Sequence, residues 1–393
     1  MRVKEGIFMD LVLIIAYLCF AGIGASDSLL GTVWPVMRSG FGASVASAGI
    51  ISFIIAVGKV IACLTSDRLS KKFGEGKVIG ASAGAMAAGL LGTCLSGNFT
   101  LVCIWAAPLG VGLGFADVTL SSYVAVHYES RFNSWLHCMW GIGGSVGPVL
   151  IGWILAGGGK WNTGYLIFSI FQIFLTAWVM FTLPKWKKSI ADGSTSEKAG
   201  EAKHLSLIGV LKLHGTKYMM AVFFFYCTIE QTATLWASSF LTGAKGLSAE
   251  TAAAFVSALF IGVTVSRFAA GFLTLKFSDR DMIRLSCALI CGGIVVMFLL
   301  PGITSAVGLI LLGAGLAPVY PCMLHNTKEL YGKVYAQSIM DIEMAFAFAG
   351  QTIMPPLFGV LAGGISVSIF PFWLFAALIL LFFFAEKAGR IKK

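Results

Sequence analysis

Long apolar stretches recur along the whole chain and leave it few ways to fold. Each stretch is about as long as the roughly 20 apolar helical residues that cross the hydrocarbon core of a bilayer, and charges seldom interrupt it. In lipid, a helix satisfies all its backbone hydrogen bonds within one segment. The pattern therefore predicts twelve membrane-spanning helices at residues 9–33, 43–64, 77–97, 101–127, 135–158, 162–183, 217–242, 249–275, 282–302, 304–325, 335–362 and 365–385.

The basic residues divide unevenly between the two sides of this predicted bundle. If both termini are cytoplasmic, the outer loops carry Arg38, Lys160 and Lys245 of the 28 Lys and Arg residues, and Lys59 and Arg267 fall within spans. Cytoplasmic loops of membrane proteins carry the excess of Lys and Arg. We therefore expect a multi-pass protein of the cell inner (plasma) membrane with both termini in the cytoplasm. The formal net charge of +10 indicates this topology and not nucleic-acid binding.

The chain divides into two halves that repeat each other. The segment starting at Lys59 aligns with the segment starting at Arg267. We predict a six-helix bundle at 1–184, a polar cytoplasmic linker at 185–212 and a second six-helix bundle at 213–393. Two parallel repeats place a substrate site at their interface, which opens to each side in turn as the halves rock. The sequence indicates a carrier and not an enzyme, because no nucleophile constellation, metal-ligand spacing or phosphate loop is present.

Several short motifs resemble those of a known family. Asp67 and Arg68, with the basic residues after them, resemble the loop signature of the major facilitator superfamily, in which acidic and basic residues pair at the cytoplasmic ends of helices. The resemblance implies an all-α membrane protein with twelve transmembrane helices in two pseudo-symmetric six-helix bundles. Further segments resemble the fucose permease branch of proton-coupled sugar symporters, namely Gly112 to Asp117, Gln231 with Trp236, Ser266 with Arg267, and Val319 to Pro321.

The resemblance also implies roles for particular residues. In that branch, acids of spans one and four are implicated in proton coupling and sugar binding, and the matching positions here are Asp27 and Asp117. A tyrosine of span ten is implicated in substrate contact and matches Tyr320. Position 117 is Asp where the fucose permease has Glu, and the contacts expected upstream in span one are Cys19 and Gly24. These departures argue against fucose itself.

Acids within the predicted spans are candidates for proton coupling. A charge at the bilayer centre costs about 2.5–3.5 kcal/mol, so it usually faces a cavity or a partner. A carboxyl group held away from water favours its neutral form, which lets it bind and release protons as a cavity changes sides. Glu230, near the middle of span seven, could join Asp27 and Asp117 in this role or line the cavity. Asp341 and Glu343, near the start of span eleven, fit an inner-gate ion pair or simple solvation.

The basic residues of the spans bear on the class of substrate. Lys59 and Arg267 are expected near the inner ends of spans two and eight, where they would pair with acids in a cytoplasmic gate. With no basic residue expected at mid-membrane, anionic substrates are disfavoured, because burying an unpaired anion is costly. The remaining side chains suit a polyhydroxyl solute, which needs hydrogen-bonding groups and aromatic faces. These candidates are Trp34, Tyr123, Trp140, Gln231, Trp236, Tyr320, His325, Asn326 and Gln351; the gate candidates are Asp67, Arg68, Lys59, Arg267, Asp341 and Glu343.

Two transport functions remain open from the sequence. The first is proton-coupled uptake of a sugar or similar small neutral solute by alternating access. The second is proton-driven export of cationic or amphipathic compounds, which is favoured by an acid-only cavity and by the segment from Gly143 to Pro148, similar to a Gly-Pro signature of superfamily antiporters. The expected partners are a small-molecule substrate, protons and the lipid bilayer. We expect a functional monomer without cofactor, metal or nucleic acid.

Overall fold

The described part of the chain is almost entirely helical. The computed structural model describes residues 11–128, 130–186, 207–273, 276–300, 302 and 304–391. Most of the predicted linker, 187–206, lies outside these residues. The side chains of Asp67 and Asp341 also lie outside the described set, although both positions fall on helices.

Thirteen α-helices follow one another along the described chain. They are α1 (Leu11–Gly40), α2 (Ser47–Phe73), α3 (Glu75–Leu95), α4 (Phe99–His127), α5 (Ser130–Ala156), α6 (Trp161–Phe181), α7 (Leu207–Lys212), α8 (Thr216–Gly243), α9 (Ala249–Leu273), α10 (Asp279–Leu299), α11 (Thr304–Leu316), α12 (Val319–Gly364) and α13 (Phe370–Ala388).

Eleven helical segments of the described chain are long and apolar enough to cross a membrane. The remaining predicted span is α8, which is 28 residues long but carries Glu230, Gln231 and several Thr and Ser side chains. The prediction of a twelve-span helical bundle is thus confirmed at the level of about eleven or twelve spans. Span ten consists of α11 with the first part of α12, and span eleven is the second part of α12.

Two helices differ from their predicted form for identifiable reasons. α1 continues past residue 33 to Gly40 because Trp34 and Met37 are fully buried and hold its last turns in the core. α12 bends at Gly332, whose φ of 66° and ψ of 174° lie outside the helical region. Glycine adopts a positive φ without steric cost, so this position separates spans ten and eleven while the chain on both sides stays helical.

Small residues bring the helices of the first bundle into close contact. A Cβ atom at Gly143 of α5 would overlap the carbonyl oxygen of Ala21 on α1, and one at Gly24 would overlap the carbonyl oxygen of Trp140. Membrane helices have no hydrophobic driving force between them, so they rely on such backbone approach. This packing fixes the face that α1 turns toward the centre of the molecule.

We define the two ends of the helix bundle by its charges. The end that holds the start of α1, the turn at Gly74 and the end of α13 is the basic end, predicted above to be cytoplasmic. The other is the opposite end. The two six-helix bundles meet through α1 with α8, α2 with α12, and α5 with α9.

The α2–α12 contact lies at the opposite end. We call it the glycine–proline seam and define it as Ala46, Gly49, Pro356, Gly359 and Gly363. A Cβ atom at Gly49 would lie 2.9 Å from the Cα of Pro356, and one at Gly363 would lie 3.1 Å from the Cβ of Ala46. Within the described residues, α4 makes no comparable contact with α12 toward the basic end. Among the described residues, the two bundles are therefore joined at the opposite end, and α4 and α12 are apart at the basic end.

Candidate functional site

A partly buried ion pair lies at the centre of the molecule. Lys59, halfway along α2, donates from Nζ to Oδ1 of Asp27, near the middle of α1, at 2.5 Å. The two side chains are only 18% and 15% exposed. Trp140 of α5 donates from its indole Nε1 to the other carboxylate oxygen of Asp27 at 3.2 Å. Both oxygens of Asp27 are thus engaged, one by a cation and one by a neutral donor.

The ion pair lines a cavity between the two bundles. The first bundle contributes polar groups of Ser26, Ser52, Thr93 and Tyr165 and apolar side chains of α4. The second bundle contributes the amides of Gln231 and Gln351 and the hydroxyl of Thr234. The cavity therefore offers one cation, one carboxylate and several neutral donors and acceptors. Such a lining is suited to a small polar ligand.

The position predicted for Lys59 is wrong. The sequence placed it near the inner end of span two, whereas the structure places it in the central cavity, paired with Asp27. Its long side chain does not reach the membrane surface because a carboxylate is available at the centre. Because a cation is present in the central cavity, anionic substrates are no longer disfavoured. The apolar window on both sides of Lys59, Ser47–Ser66, was the signal that could have revealed this depth.

Asp117 lies on the cavity face of α4, closer to the basic end. It follows Leu109 and Leu113 at intervals of four residues, and both leucines line the cavity. Unlike them, Asp117 is exposed. Because α4 and α12 are apart at the basic end, this carboxyl group faces the opening between them. It also lies within electrostatic range of Lys59, Asp27 and Arg267.

Arg267 connects the second bundle to the central ion pair. Its guanidinium carbon lies 5.6 Å from the ring centroid of Trp140, within the range of a cation–π contact. Its Nη1 donates to the backbone carbonyl of His137 at 3.3 Å. Trp140 therefore touches Arg267 of α9 with its ring face and Asp27 of α1 with its N–H. We call this chain of contacts, Lys59–Asp27–Trp140–Arg267, the central relay.

Glu230 stands beside the relay on α8. Its Oε1 accepts a hydrogen bond from the hydroxyl of Tyr226 at 3.0 Å, and it is within electrostatic range of Arg267, Asp27 and Lys59. The next residue, Gln231, lines the cavity. The structure thus brings together Asp27, Asp117, Glu230, Gln231 and Trp140 from the predicted site.

Three other predicted binding residues lie elsewhere in this conformation. Trp236 is fully buried, and its Nε1 donates to the carbonyl of Pro355 at 2.9 Å. Tyr320 packs against Phe223 and directs its hydroxyl toward the sulfur of Met344 at 3.3 Å. Asn326 lines a separate small cavity at the basic end with Arg280, Arg284 and Glu386. None of the three borders the central cavity.

The predicted cytoplasmic gate is only partly described. Arg68 is exposed at the basic end, while the side chains of Asp67 and Asp341 lie outside the described residues. For Glu343, the prediction of a gate ion pair or simple solvation is wrong. Its carboxyl group is fully buried, Oε1 accepts from the hydroxyl of Thr327 at 2.7 Å, and Oε2 has no partner in the described part of the chain.

The glycines between Gly143 and Pro148 serve helix packing. Gly143 lies against Ala21, Gly144 against Phe260, and Gly147 against Ser28. These contacts press α5 against α1 on one side and α9 on the other. The segment thus has a packing role that does not depend on the direction of transport.

Comparison with known proteins gives a consistent result. The family model described as Major Facilitator Superfamily matches residues 16–342. The chain is 22% identical over 349 residues to the glucose/mannose transporter GlcP of Bacillus subtilis, covering 87% of this chain and 86% of that protein. It is 23% identical over 408 residues to Bypass of stop codon protein 6 of Saccharomyces cerevisiae, covering 95% and 82% respectively.

Solved structures show the same fold. A D-xylose-proton symporter superposes with a TM-score of 0.72 at 14% identity, covering 97% of this chain and 99% of that one. The inward open conformation of the xylose transporter XylE from E. coli also gives a TM-score of 0.72 at 14% identity, covering 94% of both chains. These likenesses concern the path of the helices and not the substrate.

Proposed function

Because the chain belongs to the major facilitator superfamily, whose members are transporters and not enzymes, we propose that it takes up a sugar or sugar-like hydroxylated solute together with protons. The central relay is the observation that carries this proposal. It joins a titratable ion pair in the cavity to a residue of the second bundle. A change of protonation at Asp27 would therefore alter the contacts at the interface between the two bundles.

The proposed cycle uses the two carboxyl groups of the first bundle. Ionised Asp27 accepts a charge-assisted hydrogen bond from Lys59 and holds the indole of Trp140, which in turn contacts Arg267. A proton on Asp27 weakens both bonds and loosens the link between the bundles, so that the bundles rock. Asp27 then passes the proton to Asp117, which lies within its electrostatic range, and Asp117, exposed toward the basic end, releases it on that side. The amides of Gln231 and Gln351 and the hydroxyl of Thr234 would bind the solute's hydroxyl groups from the second bundle.

The hydroxylated substrate class is supported by the neutral polar groups of the cavity and by the sugars named for GlcP and XylE. Export of cationic compounds has less support. The cavity contains Lys59 and is not lined by acids alone, and the Gly143–Pro148 segment is explained by packing. If the protein exported such compounds, its overexpression would raise the tolerance of cells to lipophilic cations. We expect no such change.

The test is uptake into liposomes that contain the purified protein. With an inward proton gradient, we expect accumulation of at least one labelled compound from a panel of glucose, mannose, xylose, gluconate and glucuronate. The Asp117→Asn variant should abolish accumulation because it cannot release a proton. Asp281→Asn, which changes an acid 54% exposed at the basic end, is the matched control and should transport normally. Uptake that is independent of the gradient in both proteins would remove the coupling claim.

A further inference from the structure

We propose that the transported solute carries a carboxylate that binds Lys59 once Asp27 has accepted a proton. This inference rests on the proposed function and names the substrate class of the same cavity. It places the substrate among hydroxylated carboxylates, such as the sugar acids formed by oxidation at either end of a sugar.

Lys59 requires a negatively charged partner in every state of the transport cycle. It lies halfway along a membrane-spanning helix, 18% exposed, and its described ion-pair partner is Asp27. Lys is among the most costly residues to leave unpaired at such a depth. Removal of one member of a buried ion pair is strongly unfavourable because the remaining charge is left without compensation. Any step that neutralises Asp27 therefore creates a demand for another anion.

Proton coupling through Asp27 is such a step. When the carboxylate takes up a proton, Lys59 loses the charge that compensates it, and a neutral sugar cannot replace that charge. A carboxylate on the solute can. The solute anion takes the place of the Asp27 carboxylate, and the O–H of protonated Asp27 is free to donate to the solute. Loading one proton and one carboxylate adds no net charge to the cavity, so the loaded cavity can open to the other side of the membrane at no extra electrostatic cost.

The charged groups around Asp27 include another possible partner for Lys59 besides a carboxylate on the solute. On α2 it faces Lys59, on α5 the uncharged indole of Trp140, and it is within electrostatic range of Asp117 on α4 and Glu230 on α8. Arg267 of α9 is occupied by Trp140 and the carbonyl of His137. Asp117 is thus an alternative partner for Lys59, and a swing of Lys59 to Asp117 would permit a neutral solute. The experiment must separate these two outcomes.

The lining of the cavity indicates the rest of the substrate. Lys59 and Asp27 lie on the wall formed by the first bundle, whereas Gln231, Thr234 and Gln351 lie on the wall formed by the second. Each amide offers donors and an acceptor, which matches the paired donor and acceptor character of hydroxyl groups. A solute with a carboxylate at one end and hydroxyl groups along the rest can contact both walls at once. Such contact across the interface is what couples binding to the closing of the two bundles.

The experiment compares charged and neutral probes and measures the charge that moves. In liposomes with an inward proton gradient, we expect gluconate or glucuronate to accumulate about tenfold or more above glucose and xylose. Uptake of the acid should be insensitive to an inside-negative potassium diffusion potential set with valinomycin, because proton and carboxylate cancel. This measurement uses the unaltered protein and does not depend on the folding of a variant. Lys59→Gln should abolish acid uptake, while Lys160→Gln, an exposed lysine between α5 and α6, should not.

Three results would overturn the inference, and only the third would also reject the proposed function. Accumulation of glucose or xylose without the acids, accelerated by the inside-negative potential, would reject a carboxylate substrate and leave proton-coupled uptake intact. Acid uptake that Lys59→Gln leaves unchanged would place the carboxylate elsewhere. Uptake of none of the probes would reject the proposed function as well.

Discussion

At the scale of single residues, the sequence indicated which polar side chains are candidates for the cavity but not which of them face it. Asp27 and Asp117 were predicted from the family resemblance and as acids in apolar spans, and Gln231 and Gln351 as hydrogen-bonding groups; the structure places all four on the cavity or its opening. Trp236 was predicted from the resemblance and as an aromatic face, and it is instead fully buried. The polar groups of α8 are spread around the helix, so its sequence does not distinguish a cavity face from a packing face.

Close packing makes a residue-scale prediction about Gly143. Its replacement by Ala would push a Cβ atom into the carbonyl oxygen of Ala21, and overpacking of this kind costs about 1–3 kcal/mol. We expect Gly143→Ala to lower the thermal unfolding midpoint in detergent. Gly292→Ala is the control, because a Cβ atom there meets nothing within 4 Å and alanine favours the helix. An equal effect of the two substitutions would show that α1 and α5 are not as close as described.

At the scale of helices, apolar length was a sufficient guide to most elements. Predicted spans three, four, seven and eight coincide with α3, α4, α8 and α9 to within a few residues. The continuation of α1 to Gly40 could not be predicted, because it depends on the burial of Trp34 and Met37 and not on local composition. The gate was predicted least well, since a long basic side chain such as Lys59 can pair at any depth where an acid faces it.

The seam between α2 and α12 makes a prediction at this scale. The Cβ positions of Ala46 and Gly363 are 3.1 Å apart, close enough for a disulfide, whose Cβ atoms lie about 3.5–4.5 Å apart. We expect the Ala46→Cys/Gly363→Cys pair to cross-link on oxidation and to stop transport reversibly, because the opposite end can no longer open. To detect the disulfide, free thiols are labelled with a maleimide–polyethylene glycol reagent, which slows the protein on a gel. The disulfide protects both thiols from labelling and so prevents this shift.

The control for the cross-link uses two other positions at the opposite end. Gly97 and Gly364 each have open space where a Cβ atom would be added, so the Gly97→Cys/Gly364→Cys pair should remain unlinked and active. All nine native cysteines are free thiols, so the unaltered protein gives the labelling background. Full transport by the oxidised Ala46→Cys/Gly363→Cys pair would show that the seam does not open during the cycle.

At the scale of the whole molecule, the repeat in the sequence explained the architecture but not the conformation. Two similar halves predict two bundles around a shared site, and the chain has the fold of the major facilitator superfamily. The same helices must support a state open to either side, so the sequence contains no signal that selects one of them. The structure adopts the state that is joined at the opposite end and open toward Asp117 at the basic end.

The charge asymmetry predicts which end faces the cytoplasm. Lys72, at the end of α2, and Lys160, between α5 and α6, are exposed at the basic and opposite ends respectively. In intact cells, a membrane-impermeant maleimide should label Lys160→Cys, whereas Lys72→Cys should react only after permeabilisation. The unaltered protein measures the reaction of native thiols. The reverse pattern would invert the topology and the direction assigned to proton release.

The composition of the glycine–proline seam has a consequence for turnover in different ionic strengths. Ala46, Gly49, Pro356, Gly359 and Gly363 meet through backbone and small apolar groups, so separation of this end breaks no attraction between opposite charges. Dissolved ions weaken interactions between exposed charges and leave contacts of this kind almost unchanged. The seam should therefore separate equally easily at low and at high ionic strength, and a strong salt dependence of transport would come from charged groups elsewhere in the molecule.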